Sequence, residues 1–451
     1  MLRPVPSTLP QVRRLLTGAL LCVVVCAVGL AGAQTPAPPQ QTPVPARETA
    51  PREPAAAGIS ASAAQSLMPP TADALESETQ AREALMQDVR AYQRSIAALE
   101  ARDGAFSPGL SEELLGLGLA LQRNGDHESA IATFKRGVHI ARVTDGLYSE
   151  HQLALLQGEI ASHVALGAYT EADERQRYLY RVQARTLSDR SRGQALMQHA
   201  LWQRQAYEAG LGEEPFTRLT RMWSLYRLAL TELVEAEGEK SPALLPPLLG
   251  MLRAQYLLSG FVGEMTTGRF RTGGLYADEE STQIAYRNQS FDQGSAVIRA
   301  IYDVRVAQPD AGFIDSVDSM IMLADWKFWH GKRASALETY AKLYEELAAQ
   351  ENAEVLVQAI FDQPQPLPNI AGARALPEPD AEGPDSLLLE FSVNERGRVT
   401  DLERLDENPQ LDDKAEEVAR RIRQTLFRPR FSDGMPVHTD KVRWAYDISH
   451  W

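Results

Sequence analysis

Three glycines, each followed five residues later by an alanine, constrain this 451-residue chain more than any other feature. Gly125 and Ala130 stand in "LGLALQRNGDHESAIATFKRG" (117–137), Gly167 and Ala172 in "ALGAYTEADERQRYLYRV", and Gly331 and Ala336 in "LADWKFWHGKRASALETYAKLYEEL". The flanking segments carry apolar residues at helical spacing, so each glycine marks a turn between two helices. Small residues then fall where the two helices must touch, at Gly118, Ala130, Gly137, Ala172 and Ala336. A large ring follows one helical turn later at Phe134 and Tyr340, whereas the second copy has Gln176 there. A hairpin repeated in this way cannot bury its faces alone and must stack on its neighbours. Residues 190–300 look helical but show no clean copy of the skeleton.

These residues resemble tetratricopeptide repeats, and the resemblance implies a helical scaffold over residues 71–360. Leu85, Val89, Tyr92, Ile96 and Leu99 step by four and three and so form one helical seam, read as core. The Gly-rich stretch 260–274 reads as a loop between helices, since it lacks the strand and lysine of a phosphate loop.

At the N-terminus, Arg3, Arg13 and Arg14 precede an apolar run from Leu15 to Leu30, and Ala31-Gly32-Ala33 forms a small-x-small cleavage site. Residues 1–33 therefore read as a signal peptide, cleaved before Gln34, and the expected location is the periplasm. The alternative is an uncut inner-membrane anchor, because Leu15 to Ala33 just reaches the length that spans a bilayer. Cys22 and Cys26, the only cysteines, lie in this run, so no disulfide framework or thiolate metal site is available to the rest of the chain. Residues 34–70 hold nine prolines among Ala, Gln, Ser and Thr and read as an extended tether.

A second proline-rich stretch, 361–384, holds six prolines and reads as a linker. Beyond it the hydrophobic period changes to two. Leu387, Leu389, Phe391 and Val393 alternate, and Asn394 to Gly397 turn the chain into a second strand. Asn408 and Pro409 open a helix with an apolar stripe at Leu411, Ala415, Val418, Ala419 and Ile422. "FRPRF" (427–431) reads as a short edge strand, and Val442, Trp444, Tyr446 and Ile448 alternate in a last strand. The expected fold class is thus mostly α, hairpin repeats followed by a small α+β domain of order β-β-α-β-β over 385–451.

Phe391, Val393, Gly397, Val399, Phe427, Arg428, Pro429, Asp433, Gly434, Pro436 and Val437 match the pattern of the TonB C-terminal domain, which the last 67 residues or so resemble. "QPQPLP" (363–368) keeps the prolines of that family's preceding segment but puts Leu367 in its aromatic place. The resemblance implies a module that binds a short peptide by strand addition. The candidate edge is the last strand: Lys441, Val442, Arg443, Trp444, Ala445, Tyr446, Asp447 and Ile448. The family's transducing anchors carry a histidine within the membrane, whereas the first histidine here is His127, so the apolar run is a poor motor anchor.

No catalytic signature stands out, and neither a catalytic residue, a metal ligand set nor a cofactor is expected. His127, His139, His151 and His163 recur every twelve residues, but the repeat turns distribute them over several helices. A net charge of −14 argues against nucleic acid as partner, because counterion release needs clustered Lys and Arg. The sequence therefore points to a non-enzymatic periplasmic adaptor whose partners are proteins or peptides of the cell envelope, an outer-membrane receptor among them. Membrane contact is expected only if the N-terminal segment stays uncleaved. The competing readings are an anchored TonB-like energy transducer and, third, an enzyme with a convergent set of groups in the repeat groove.

Overall fold

The computed structural model describes residues 72–261 and 276–447, apart from Pro108, Glu213, Ala375, Pro377, Ala381, Glu382, Pro384, Asp385 and Glu407. The export segment, the N-terminal tether, most of the Gly-rich stretch and Ile448 lie outside the described residues. The chain builds consecutive helices α1 (Ala72–Asp103), α2 (Leu110–Arg123), α3 (His127–Thr144), α4 (His151–Ala165), α5 (Tyr169–Thr186), α6 (Asp189–Glu208), α7 (Pro215–Glu237), α8 (Leu245–Gly260), α9 (Tyr276–Val306), α10 (Phe313–Trp329), α11 (Arg333–Ala348) and α12 (Ala353–Phe361). Each packs on the next along the chain, with α5 and α6, and α11 and α12, meeting less closely than the other pairs. No helix among the described residues is long and apolar enough to cross a membrane.

Turns of one kind make the hairpins. Gly125 adopts φ +79°, its N–H bonds Gln122 O, and the next residue, Asp126, bonds Leu121 O five positions back. This double closure is the Schellman motif, which needs a left-handed residue and so selects glycine. Gly167 and Gly331 repeat it, with Ala168 bonded to His163 O and Lys332 to Lys327 O. So does Gly210, at φ +64°, with Gly210 N–H on Tyr207 O and Leu211 N–H on Ala206 O. Gly210 lies inside the region where the sequence shows no copy. Residues 125, 167 and 210 thus place hairpin turns 42 and 43 positions apart, longer than the ~34-residue tetratricopeptide unit.

A recurring contact between helices is a glycine on one helix receiving a large side chain from its neighbour. A Cβ on Gly118 would lie 2.3 Å from the Phe134 ring, and one on Gly158 would lie 2.5 Å from the same ring. Phe134 of α3 is therefore held between α2 and α4, fully buried. Gly250 receives Tyr226 and Gly294 receives Trp326 in the same manner. Ala130, Ala172, Ala336 and Tyr340 are all 0% exposed. The helices share three cores, one running from α1 to α6, one from α6 to α10 and one from α10 to α12.

A buried charge network joins successive hairpins. Arg218 of α7 donates through Nη1 to Asp173 Oδ1 (2.9 Å) and through Nη2 to Asp173 Oδ2 (2.8 Å), while Trp202 of α6 donates to Oδ1 at 2.8 Å. Burial alone would raise the Asp173 carboxyl, but the hydrogen bonds from Arg218, Trp202 and Arg177 outweigh it and hold the group well below the usual carboxylate range.

The C-terminal part is a three-stranded antiparallel sheet in the order β3-β2-β7, from β2 (Leu387–Val393), β3 (Val399–Arg404) and β7 (Thr439–Tyr446). Helix α13 (Asp412–Gln424) covers one face, burying Ala415, Val418 and Ile422 against Leu389, Phe391 and Val442. The expected helix start at Asn408 is corrected: Pro409–Leu411 is a 3-10 turn and the α-helix begins at Asp412. "FRPRF" is two strands rather than one. Pro429 divides β4 (Leu426–Arg428) from β5 (Arg430–Ser432), and β5 pairs with β6 (Met435–Val437).

The reading of 361–384 as a linker needs correction. Strand β1 (Gln365–Leu367) pairs antiparallel with β4, and the segment inserts Leu367 among α10–α12, Ile370 and Ala373 against the α6–α10 core, and Leu376 into the sheet core. The C-terminal part is thereby docked on the helices. A buried tie is Arg428 of β4, whose Nη1 lies 3.4 Å from both oxygens of Asp325 on α10, with Tyr340 of α11 donating to Asp325 Oδ1 at 2.5 Å. Both charged side chains are at most 7% exposed. Burial pushes the Asp325 carboxyl up, opposed by Arg428 and Tyr340.

Breaking this pair from one side leaves a buried charge alone, which costs about 3–5 kcal/mol. Arg428→Met should lose about that much in urea unfolding, and the double variant Asp325→Asn/Arg428→Met should recover part of it. Unchanged stability in Arg428→Met would contradict a docked C-terminal part.

Candidate peptide-binding edge

Strand β7 pairs on its inner side with β2, through Leu387 with Tyr446, Leu389 with Trp444 and Phe391 with Val442. The pairing slips between Phe391 and Val393, where Lys441 takes φ +56°. The bulge is local to the start of the strand. Val442 and Tyr446 are buried in the sheet core, and Trp444 packs half-buried with its ring 5.1 Å from Phe391 and 5.6 Å from Phe427. Lys441, Arg443 and Asp447 are exposed. Arg443 Nε donates to Glu390 Oε2 at 2.7 Å across the sheet.

The outer side of β7 is not open along its whole length, which corrects the expectation of a free edge from Lys441 onward. Asp380, in the packed segment, donates its N–H to Ala445 O at 2.8 Å, and its carboxylate accepts from Asp447 N–H at 2.9 Å. The chain thus supplies its own short strand contact at Ala445, which is 5% exposed. Alternation puts the backbone of Arg443 on the same outer side. There the segment draws away from β7 and leaves a cavity of about 620 Å³ between Gln363–Pro366 and Thr439–Trp444. Arg374 and Glu378 also line it, giving it charges of both signs, with Leu376, Val442 and Trp444 as apolar wall.

Sequence reasoning placed Lys441 to Asp447 on this strand but missed the opposite wall. The signal was present, since Leu367, Ile370, Ala373 and Leu376 recur every three residues among the prolines. The four spaced histidines come together nowhere. His139 meets Phe106 edge-on, His151 lies 2.8 Å from Asp145, and His163 lies 3.8 Å from Glu159. Among the described residues no three His, Cys, Asp or Glu side chains cluster as metal ligands do.

No family model matches the chain, and no curated protein sequence matches it. Among solved structures, a protein assigned as kinesin light chain in Podosopora anserina, built of nearly identical TPR-like repeats, is similar at 16% identity and a TM-score of 0.34, over 53% of this chain and 96% of that one. BtubC (BKLC) from P. vanneervenii is similar at 14% identity and a TM-score of 0.33, over 60% of this chain and 93% of that one. The fold described above rests on the hairpin turns and contacts rather than on these superpositions.

Asp380→Ala removes the acceptor of the Asp447 amide. That amide should exchange with solvent faster by at least about tenfold, with a stability loss of about 1 kcal/mol, while the Phe391 amide in the sheet keeps its protection. Equal exchange at Asp447 in both proteins would show that Asp380 does not close this end of the strand.

Proposed function

We propose that this chain is a non-enzymatic binding scaffold of the bacterial cell envelope, in which a tetratricopeptide-like helical body carries a TonB-like C-terminal module that takes an extended peptide along β7. The observation that carries this reading is the cavity beside Thr439–Trp444, walled by a strand edge on one side and by the proline-rich segment on the other. An extended peptide entering there meets backbone groups for ladder hydrogen bonds and an apolar wall at Leu376 and Trp444 for alternate side chains. The buried ionisable groups fit a scaffold, because Asp173 and Asp325 are each committed to tying one element to another. The same docking speaks against the energy-transducer reading, which calls for a module free to move at the end of a spacer.

The proposed partner is a peptide segment of an outer-membrane receptor, and the proposed location is the periplasm after cleavage between Ala33 and Gln34. N-terminal sequencing of the osmotic-shock fraction should read Gln34 first; a membrane-bound form retaining Met1 would remove the periplasmic part of the proposal. For the edge itself, proline at Arg443 deletes the outward N–H, whereas Arg443→Ala removes only the side chain. Against short peptides from outer-membrane receptors, Arg443→Pro should bind at least about tenfold more weakly, provided circular dichroism shows it folded, and Arg443→Ala should stay within a few-fold of the parent. Equal binding by all three proteins would exclude strand addition at this edge.

A further inference from the structure

A second surface carries charge of the opposite kind from the chain as a whole. Net charge is −14, yet three arginines stand together on the face made by α3 and α5, the second helices of the first two hairpins. Arg142 and Arg181 lie over the Tyr178 ring with guanidinium carbons 6.0 and 5.5 Å from its centroid, and Arg185 lies 4.1 Å over Tyr148. None of the three makes an ion pair among the described residues.

The tyrosines beneath them are fixed. Tyr178 donates its hydroxyl to Gln152 Oε1 at 2.8 Å, and Gln152, 0% exposed, donates to Leu147 O at 3.1 Å in the loop that carries Tyr148. Stacking on a held ring orients each guanidinium and reduces the side-chain freedom lost on binding. An open cavity of about 650 Å³ lies alongside, lined by Arg142, Tyr178, Arg181 and Val138, by the further cations Lys135, Arg175 and Arg177, and by the carboxylates Glu171 and Glu174. The lining is therefore cationic on balance but interrupted by Glu171 and Glu174, and the half-buried Tyr178 ring offers apolar contact between the charges.

We infer that this arginine ladder binds an acidic peptide segment of a partner protein, two of its carboxylates pairing with Arg142 and Arg181 and an intervening apolar side chain resting on Tyr178. Planar guanidiniums suit carboxylates by paired hydrogen bonds. The site is separate from β7 and does not rest on the reading of that edge.

The test uses the full chain and a fluorescein-labelled peptide of alternating Glu and Leu, with a Gln-for-Glu peptide as control and pyrophosphate and phosphatidylserine vesicles as further ligands. The acidic peptide should raise anisotropy on binding, weaken as salt is added, and outbind the Gln peptide by at least about tenfold. Arg142→Gln/Arg181→Gln should lose about tenfold in affinity with unchanged circular dichroism, and Arg443→Pro should leave it intact. Several results would overturn the proposal: no peptide binding, equal binding by the double variant, binding of pyrophosphate or vesicles in place of the peptide, or self-association that the double variant abolishes while the peptide stays unbound.

Discussion

The architecture depends on a buried carboxylate. Asp325 sits where α10, α11 and β4 meet, and burying an ion there is costly unless its partners are held in place. Arg428 and Tyr340 meet that demand, one from the sheet side and one from the helical side. An aromatic shell closes around them, with Tyr340 5.1 Å from Phe431 and Phe431 5.0 Å from Phe361. Gly397 adds a second constraint. Its φ is +69°, and a Cβ there would lie 1.9 Å from Phe427 O and 3.0 Å from the Phe328 ring, so the turn before β3 presses against both β4 and α10. With β4 fixed to the helices, β1 is fixed through its ladder, and the position of the cavity beside β7 follows.

Much of the helical body was legible because its turn requires a particular residue. A left-handed Schellman closure selects glycine, and Gly125, Gly167 and Gly331 show it with alanine at the fixed offset. Gly210 makes the same closure but was hidden, since the position five residues on is Pro215. The loop there is longer and α7 begins only at that proline, so the close contact of the hairpin moves elsewhere, to Gly193 against Leu233. A template that asks for turn and contact at one offset fails when the loop lengthens, although the physical requirement at each is still met.

The packed segment illustrates the opposite failure. Six prolines between 362 and 385 were read as a spacer because composition describes what a segment cannot do by itself, namely form a helix or a central strand. Composition is silent about whether a neighbouring surface will accept the segment's apolar residues. Leu367, Ile370, Ala373 and Leu376 each find a core built by other parts of the chain, and no local pattern names those cores. The candidate edge was half legible for the same reason. Alternation on β7 sets which side chains face the helix α13, but Asp380 reaches Ala445 and Asp447 from 65 and 67 positions away.

Two surfaces on one docked body behave differently from two modules on a tether. A flexible tether lets one chain search for both sites of a partner at an effective concentration set by its length. Here the helices between α3 and α10 pack in series and the Asp325 pair continues that series into the sheet, so packed helices rather than a tether set the separation of the arginine ladder and the β7 cavity. A partner that engages both must present its acidic segment and its extended segment at that separation, or supply the slack from its own chain. Selectivity then comes from geometry as well as from the chemistry of either site, and a partner with only one matching segment gains nothing from the other surface.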